Sequence, residues 1–232
     1  MHILLTRPLD DCKELILRFK SLGHKVSHLP VIKIQNVNYD KVNINEFSGI
    51  IFTSANAIKN LNTSDINKKI NCFCVGSSTE NVAKQNGFQN IFCAEGNVNN
   101  LKEVILQNFD NRSGNLLYVS GEIVSSNLDK DLISEGYKVR RIINYSVLPV
   151  EEIGEEFINN LKLSIPDMVY VYSENSAKNY LNLLKKYNLL DYWMNTNLMC
   201  LGEKTSSVLN EIKWKKIFLF NSGEEEFLLY KI

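Results

Sequence analysis

Short apolar runs alternate with amphipathic stretches along almost the whole chain, and that alternation restricts it to a parallel α/β fold. The runs lie at 2–6, 25–35, 49–53, 70–75, 90–94, 115–119, 138–148, 167–172, 197–201 and 216–220. Most are rich in Ile, Leu, Val, Phe and Tyr with few polar interruptions, the pattern of strands covered on both faces. The stretches between them read as helices. In 10–22, Cys12, Leu15, Ile16, Phe19 and Leu22 share one face, Asp10 or Asp11 can cap the start, and Gly23 follows the end. Apolar spacing predicts further helices at 98–109, 122–135 (Val124, Leu128, Leu132), 152–162 and 175–187, and a helix at 77–86 ends before Gly87.

The chain also repeats itself. A first unit is a strand, a helix ending in Gly, and a long strand closing near Pro, at 3–35 and again at 116–149. A second is a strand, a Ser turn and a helix, at Ile50–Ala57 and Val169–Ala177. A third is a strand, Gly, hydroxyl residues, a helix, a strand and a Gly-containing turn, starting at Phe73 and at Met199 and closing at Gly96 and Gly223. Each set supplies strands enough for one small doubly wound sheet, which implies two similar domains with a cleft between them. Repeat order leaves the partition open: two consecutive domains, or one discontinuous domain with the other inserted into it.

Composition narrows the function. Twenty-six basic and 26 acidic side chains leave no net charge, which argues against a nucleic-acid partner. Local donors and backbone amides still suit an anionic small ligand. Hydrophobic residues are 44% of 232, so a core of ordinary size forms without a disulfide or metal staple. The apolar start at Ile3-Leu4-Leu5 is too short for a signal peptide, and no stretch approaches the roughly 20 apolar residues of a membrane span. The five cysteines, Cys12, Cys72, Cys74, Cys93 and Cys200, are odd in number and read as reduced side chains in strands and helices, so a cytoplasmic location is expected.

Ligands of open α/β sheets bind beyond the carboxyl ends of the strands. There the sequence puts Thr6 and Arg7; Thr53, Ser54 and Ala55; Gly76, Ser77, Ser78 and Thr79; Ser120 and Gly121; Ser173, Asn175 and Ser176; and Gly202, Lys204 and Thr205. Each turn opens a helix, whose unpaired N–H groups favour carboxylate or phosphate. Simple N-capping explains any one turn equally well. No Gly-x-Gly-x-x-Gly or Gly-x-x-x-x-Gly-Lys-Ser/Thr occurs, so no cofactor is expected. His2, His24 and His28 have no metal-like spacing and read as surface or packing residues. Glu224-Glu225-Glu226 reads as the first turn of a short last helix. Tyr145, in Ile143-Asn144-Tyr145-Ser146, is either a linker-strand aromatic or a phenol donating a proton at a domain junction.

Together these residues resemble the uroporphyrinogen-III synthase family over roughly 3–223. The likeness rests on Leu5-Thr6-Arg7-Pro8, Ile51-Phe52-Thr53-Ser54-Ala55-Asn56-Ala57, Val75-Gly76-Ser77-Ser78-Thr79, Tyr145 in its strand, Tyr172-Ser173-Glu174-Asn175-Ser176-Ala177 and Leu201-Gly202-Glu203-Lys204-Thr205. Each motif alone is weak; their order and spacing are specific. The resemblance implies two flavodoxin-like parallel-sheet domains joined by a two-stranded antiparallel ladder. It puts about 1–33 plus 150–232 in a discontinuous domain, 37–145 in an inserted one, and 31–36 and 145–149 in the linker strands.

It also implies the reaction: hydroxymethylbilane, a linear tetrapyrrole, loses water and closes to uroporphyrinogen III with inversion of the terminal ring, without a cofactor. Tyr145 is then the candidate acid, Thr79 and Thr205 match family threonines, and Ser54 and Ser176 match polar turn positions. Glu174, Glu203 and Lys204 put more charge on their turns than the family often has. The expected protein is a monomer with no membrane or nucleic-acid partner. Two other readings compete. One is a non-enzymatic bilobal binder of an anionic metabolite; the other is a general nucleotide-binding or transferase domain, which the missing phosphate loops disfavour.

Overall fold

The computed structural model describes residues 1–40, 42–221 and 224–225. The chain starts with β1 (His2–Leu5), α1 (Leu9–Ser21), β2 (Lys25–His28), β3 (Ile32–Asn36), β4 (Phe47–Phe52), α2 (Ala55–Lys59) and β5 (Asn71–Val75). It continues through α3 (Ser77–Gln85), β6 (Asn90–Ala94), α4 (Val98–Asn108), β7 (Asn115–Gly121), α5 (Leu128–Ser134) and β8 (Val139–Pro149). It ends with α6 (Glu155–Leu163), β9 (Met168–Val171), α7 (Glu174–Lys186), β10 (Asn197–Leu201), α8 (Glu203–Val208) and β11 (Lys216–Phe220). Among the described residues no helix is long and apolar enough to cross a membrane.

The chain divides into two compact units. A split unit holds Met1–Lys33 and Leu148–Ile232, and an inserted unit holds Ile34–Val147. The split unit's sheet has the order β11-β10-β9-β1-β2, with every pair parallel. The second sheet runs β3-β8-β7-β4-β5-β6, and the pairs from β8 to β6 are parallel. β3 meets β8 differently. Val37 N–H donates to Asn144 O, and Val150 N–H to Val31 O, each at 3.0 Å. Numbering climbs on one strand as it falls on the other, which marks antiparallel pairing.

The repeat maps onto both sheets strand for strand. β1-α1-β2 and β7-α5-β8 are the first unit, β4-α2 and β9-α7 the second, and β5-α3-β6 and β10-α8-β11 the third. In each sheet the two strands of the first unit lie together on one side of the second unit's strand, and the two of the third lie on its other side. Each sheet takes its first unit from one copy and its other two from the other copy. The result is a mixed α/β chain with two parallel-dominated sheets.

Each sheet is covered on both faces, as the unbroken apolar runs require. In the split unit Ile3, Leu5, Phe19 and Tyr170 pack on one side, and Leu4, Val169, Tyr180 and Trp193 on the other. In the inserted unit Ile50, Phe52, Cys72 and Leu117 face one cluster, and Ile51, Phe73, Leu116 and Tyr118 the other. The alternation Ile50/Ile51 and Leu116/Leu117 between clusters is the period of two of a strand. Each such side chain contributes about 1.5–3 kcal/mol when fully buried. All five cysteines are free thiols, and Cys93 alone is less than fully buried. Burial pushes the Cys72 and Cys200 thiols up to about 12.

Several local expectations need correction. The run 25–35 is two strands, β2 ending at His28 and β3 starting at Ile32; Leu29 N–H→Leu5 O and Val31 N–H→Thr6 O carry the bonding to β1 past Pro30, whose missing N–H falls on the side facing away from β1. The helix expected over 122–135 forms only from Leu128. Ser125, Ser126 and Asn127 favour local turns over helix, and Val124 reaches its core cluster from the loop instead. Neither Asp10 nor Asp11 caps α1. Pro8 holds that position and both acids lie in the first turn, where they suit the helix dipole. Glu224 and Glu225 show no helix; Glu226, Ser222 and Gly223 lie outside the described residues.

β4 contains one residue whose identity is set by packing alone. A Cβ on Gly49 would lie 2.6 Å from Leu116 Cδ2 and 3.3 Å from both Phe109 and Phe73 rings. Gly49→Ala should therefore destabilise the protein by about 1–3 kcal/mol, the range for overpacking a core. Urea denaturation checks this; an unchanged midpoint contradicts it.

Candidate functional site

In a parallel sheet every carboxyl end lies on one edge, and in both sheets that edge carries the residues singled out above. In the inserted unit Thr53, Ser54 and Ala55 follow β4, Gly76 to Thr79 follow β5, and Ser120 and Gly121 end β7. Tyr145 pairs with Gly121 in the β7–β8 register. In the split unit Thr6 and Arg7 follow β1, Tyr172 to Ser176 follow β9, and Gly202 to Thr205 follow β10. The strand order changes direction between β7 and β4, and between β1 and β9, which is where such sheets bind ligands.

The Ser and Gly turns behave differently. Ser54 Oγ accepts from Asn56 N–H at 3.2 Å, and Ser173 Oγ from Ser176 N–H at 3.1 Å. These two serines cap their own helices. At the start of α3 and α8 the capping residues are Gly76 and Gly202, and no side chain caps either helix. Their dihedrals, φ 77° and ψ 149° for Gly76, φ 84° and ψ 164° for Gly202, belong to a region essentially restricted to glycine. A glycine cap leaves the first-turn N–H groups open to an outside acceptor. Ser77 and Ser78 beside Gly76 are exposed, as are Glu203 and Lys204 beside Gly202.

Several predicted hydroxyls are already engaged. Ser120 is 1% exposed; its Oγ donates to Gly121 O and accepts from Arg141 Nε at 2.8 Å. No helix opens at Ser120-Gly121 either, since β7 runs through Gly121 and α5 starts later. Thr205 Oγ1 donates to Leu201 O, and Ser176 Oγ accepts from Ser173 Oγ. Thr6 donates to Tyr170 O at 2.6 Å, and Thr79 is buried. Thr53 remains at the edge, its Oγ1 3.1 Å from Tyr118 OH. Asn175 and Ser173 are exposed and Ala55 is half-buried.

Tyr145 is 8% exposed, and its ring lies close against Gly121: a Cβ there would sit 2.7 Å from Tyr145 Cζ and 3.0 Å from its hydroxyl. Nearby, burial raises the Tyr118 phenol pKa, opposed by the hydrogen bond with Thr53 and the charge of Arg141. In the split unit the Arg7 guanidinium lies 4.6 Å over the Tyr172 ring, a cation–π contact. No hydrogen bond or ion pair engages that guanidinium among the described residues. His28 ends β2 at this edge and its Nε2 lies 2.8 Å from Arg7 O, so it holds backbone. Glu174 pairs with Lys178 at 2.6 Å, which keeps its carboxyl below the usual range, with a smaller contribution from Lys204.

Sequence reasoning missed Tyr172, Tyr118 and Arg141. Tyr172 directly precedes a Ser turn that was singled out. Arg141 gives no such signal, because its partners are mostly backbone carbonyls. A cavity of about 540 Å³ in the inserted unit is lined by Tyr39, Val42, Ile44, Leu61 and Ile142 among others and includes none of the edge residues.

Comparison with known proteins gives a consistent result. A family model described as uroporphyrinogen-III synthase HemD matches residues 13–219. A uroporphyrinogen-III synthase of Saccharomyces cerevisiae is 26% identical over 217 residues, covering 80% of this chain and 77% of the relative. The crystal structure of a uroporphyrinogen-III synthetase from Helicobacter pylori superposes with a TM-score of 0.65 at 18% identity, covering 100% of this chain and 99% of that one. A mutant uroporphyrinogen III synthase from the extremely thermophilic bacterium Thermus thermophilus gives 0.54 at 14% identity, covering 100% and 98%. At these identities the structural likenesses establish the fold.

The edge geometry bears on stability at two positions. The Tyr172 hydroxyl is buried with no partner among the described residues, so Tyr172→Phe should be neutral or slightly stabilising in thermal unfolding; a fall in Tm contradicts this. An added Cβ at Gly76 meets nothing within 4 Å, so Gly76→Ala should cost about 1–3 kcal/mol through backbone strain alone. A denaturation midpoint unmoved by Gly76→Ala contradicts that assignment.

Proposed function

We propose that this chain, which belongs to the uroporphyrinogen-III synthase family, uses Tyr145 as its acid and the two carboxyl-end edges to hold substrate carboxylates. The reaction is closure of hydroxymethylbilane to uroporphyrinogen III. The terminal hydroxyl leaves as water, giving an electrophilic azafulvene. The last pyrrole attacks it through its own substituted carbon, forming a spiro intermediate. Fragmentation and re-closure then invert that ring, so substrate and product differ by one water.

Hydroxide is a poor leaving group, and a positioned acid must protonate it as it departs. Tyr145 fits that role: its phenol sits at the carboxyl edge of the inserted sheet, fixed against Gly121 and in register with the end of β7. This placement is the observation that carries the proposal. The remaining task is to fold a flexible polyacid. The amides of Ser77 and Ser78 after Gly76, and of Glu203 and Lys204 after Gly202, accept carboxylates without fixed cations, and the side chains of Arg7 and Lys204 add charge on the split unit. Thr53, Ser77, Ser78 and Asn175 offer polar contacts, while Ser54, Ser120, Ser173, Ser176, Thr79 and Thr205 shape the turns. Bringing reacting ends together can lower a barrier by roughly 7–11 kcal/mol in the best intramolecular cases.

Residues 1–33 with 150–232, and 37–145, act as the two domains, with 31–36 and 145–149 as linking strands. The protein works as a monomer in the cytosol and takes no nucleic acid; its five free thiols support the cytosol and its zero net charge the lack of a nucleic-acid partner.

Tyr145→Phe should lower kcat by about 10²-fold or more, the scale of general-acid catalysis, with KM within about twofold and far-UV circular dichroism unchanged. An unaltered kcat would remove Tyr145 from the chemistry. Arg7→Gln should act on the other parameter and raise KM several-fold, and steady-state kinetics with unchanged KM would take Arg7 out of binding.

A further inference from the structure

Neighbouring residues of a strand point to opposite faces, yet Asn144 and Tyr145 do not. Asn144 Nδ2 donates to Ala57 O at 2.8 Å, and Ala57 and Tyr145 belong to one core cluster. The cause is a register shift. Ser120 pairs with Ile143, but Gly121 pairs with Tyr145, so β8 carries one extra residue at this point. Such a bulge re-aims a side chain and leaves backbone groups outside the ladder.

One side chain holds the distortion. Arg141, four residues before Tyr145 on β8, sends Nε to Ser120 Oγ at 2.8 Å. Its Nη2 donates to Gly121 O at 2.9 Å and to Glu122 O at 3.1 Å. A single planar guanidinium thus ties three consecutive residues at the end of β7 back to β8. Those residues in turn hold Tyr145: its ring lies on Gly121, and Glu122 N–H donates to Tyr145 O at 3.0 Å. Ser120 spends its hydroxyl on this link, which accounts for its burial at a position expected to face substrate.

We infer that Arg141 is a positioning residue for the cyclisation, setting the place of the Tyr145 phenol through the bulge and without touching substrate. This rests on Tyr145 being the acid. Lysine, a single point donor, does not replace it, because the three acceptors require a fork.

A double-mutant cycle tests this on the full chain. Arg141→Ala should lower kcat roughly ten- to a hundredfold, the effect of displacing a reacting group, with KM within about twofold. In the Tyr145→Phe background the same change should cost almost nothing more. Added guanidinium ion should restore part of the rate to Arg141→Ala and none to Tyr145→Phe. If Arg141→Ala does not fold, Arg141→Lys is measured in the same cycle, with the same expectation of a loss that vanishes beside Tyr145→Phe. A slow Tyr145→Phe enzyme on which the Arg141 loss is fully additive overturns the inference alone, as does a loss confined to KM. An unimpaired Tyr145→Phe enzyme overturns the assignment of the acid, and the inference with it.

Discussion

Parallel strand pairing is the constraint from which the rest follows. It sends every strand of a sheet the same way, so all carboxyl ends and the helix starts after them share one edge. The residues on that edge then face a common region without any sequence motif linking them. Thr53, Gly76, Gly121 and Tyr145 are far apart in sequence and are neighbours by strand order alone. The split unit does the same with Arg7, Ser173 and Gly202. An edge rich in glycine and hydroxyl residues, with few fixed charges, suits a ligand that carries its own charge in many carboxylates.

The same edge separates two roles that look alike in sequence. Ser54 and Ser173 satisfy their own helices, so a hydroxyl at either position is accounted for by capping. Gly76 and Gly202 do the reverse: they adopt a backbone geometry that only glycine takes without strain, and they carry no side chain to cap the helix. Amides left open after a glycine cap can accept an anion without lysine or arginine at every contact. The Arg7 guanidinium rests on the Tyr172 ring, an aromatic platform that holds the cation without a carboxylate.

Much of the fold was legible because buried parallel strands need long apolar runs, and every such run became a strand. The internal repeat pointed to two similar sheets, but not to which copies share a sheet, because both partitions use the same units in the same order. The failures were local. One apolar run divides between two sheets around Pro30, a break that composition does not display because Leu29 and Val31 stay buried on either side. Ser125-Ser126-Asn127 outweighed the spacing of Val124, Leu128 and Leu132. At the site, glycines and hydroxyls could be picked out by residue type. Arg141 could not, since it acts on carbonyls made available by a bulge, and a bulge is a property of two strands together.

The central claim is that this chain directs hydroxymethylbilane closure through ring inversion. Unassisted closure gives the type I isomer, so the isomer ratio reads the claim directly. Incubating the purified chain with hydroxymethylbilane and separating the products should give predominantly uroporphyrinogen III. Type I alone, at the rate seen without protein, would contradict the account.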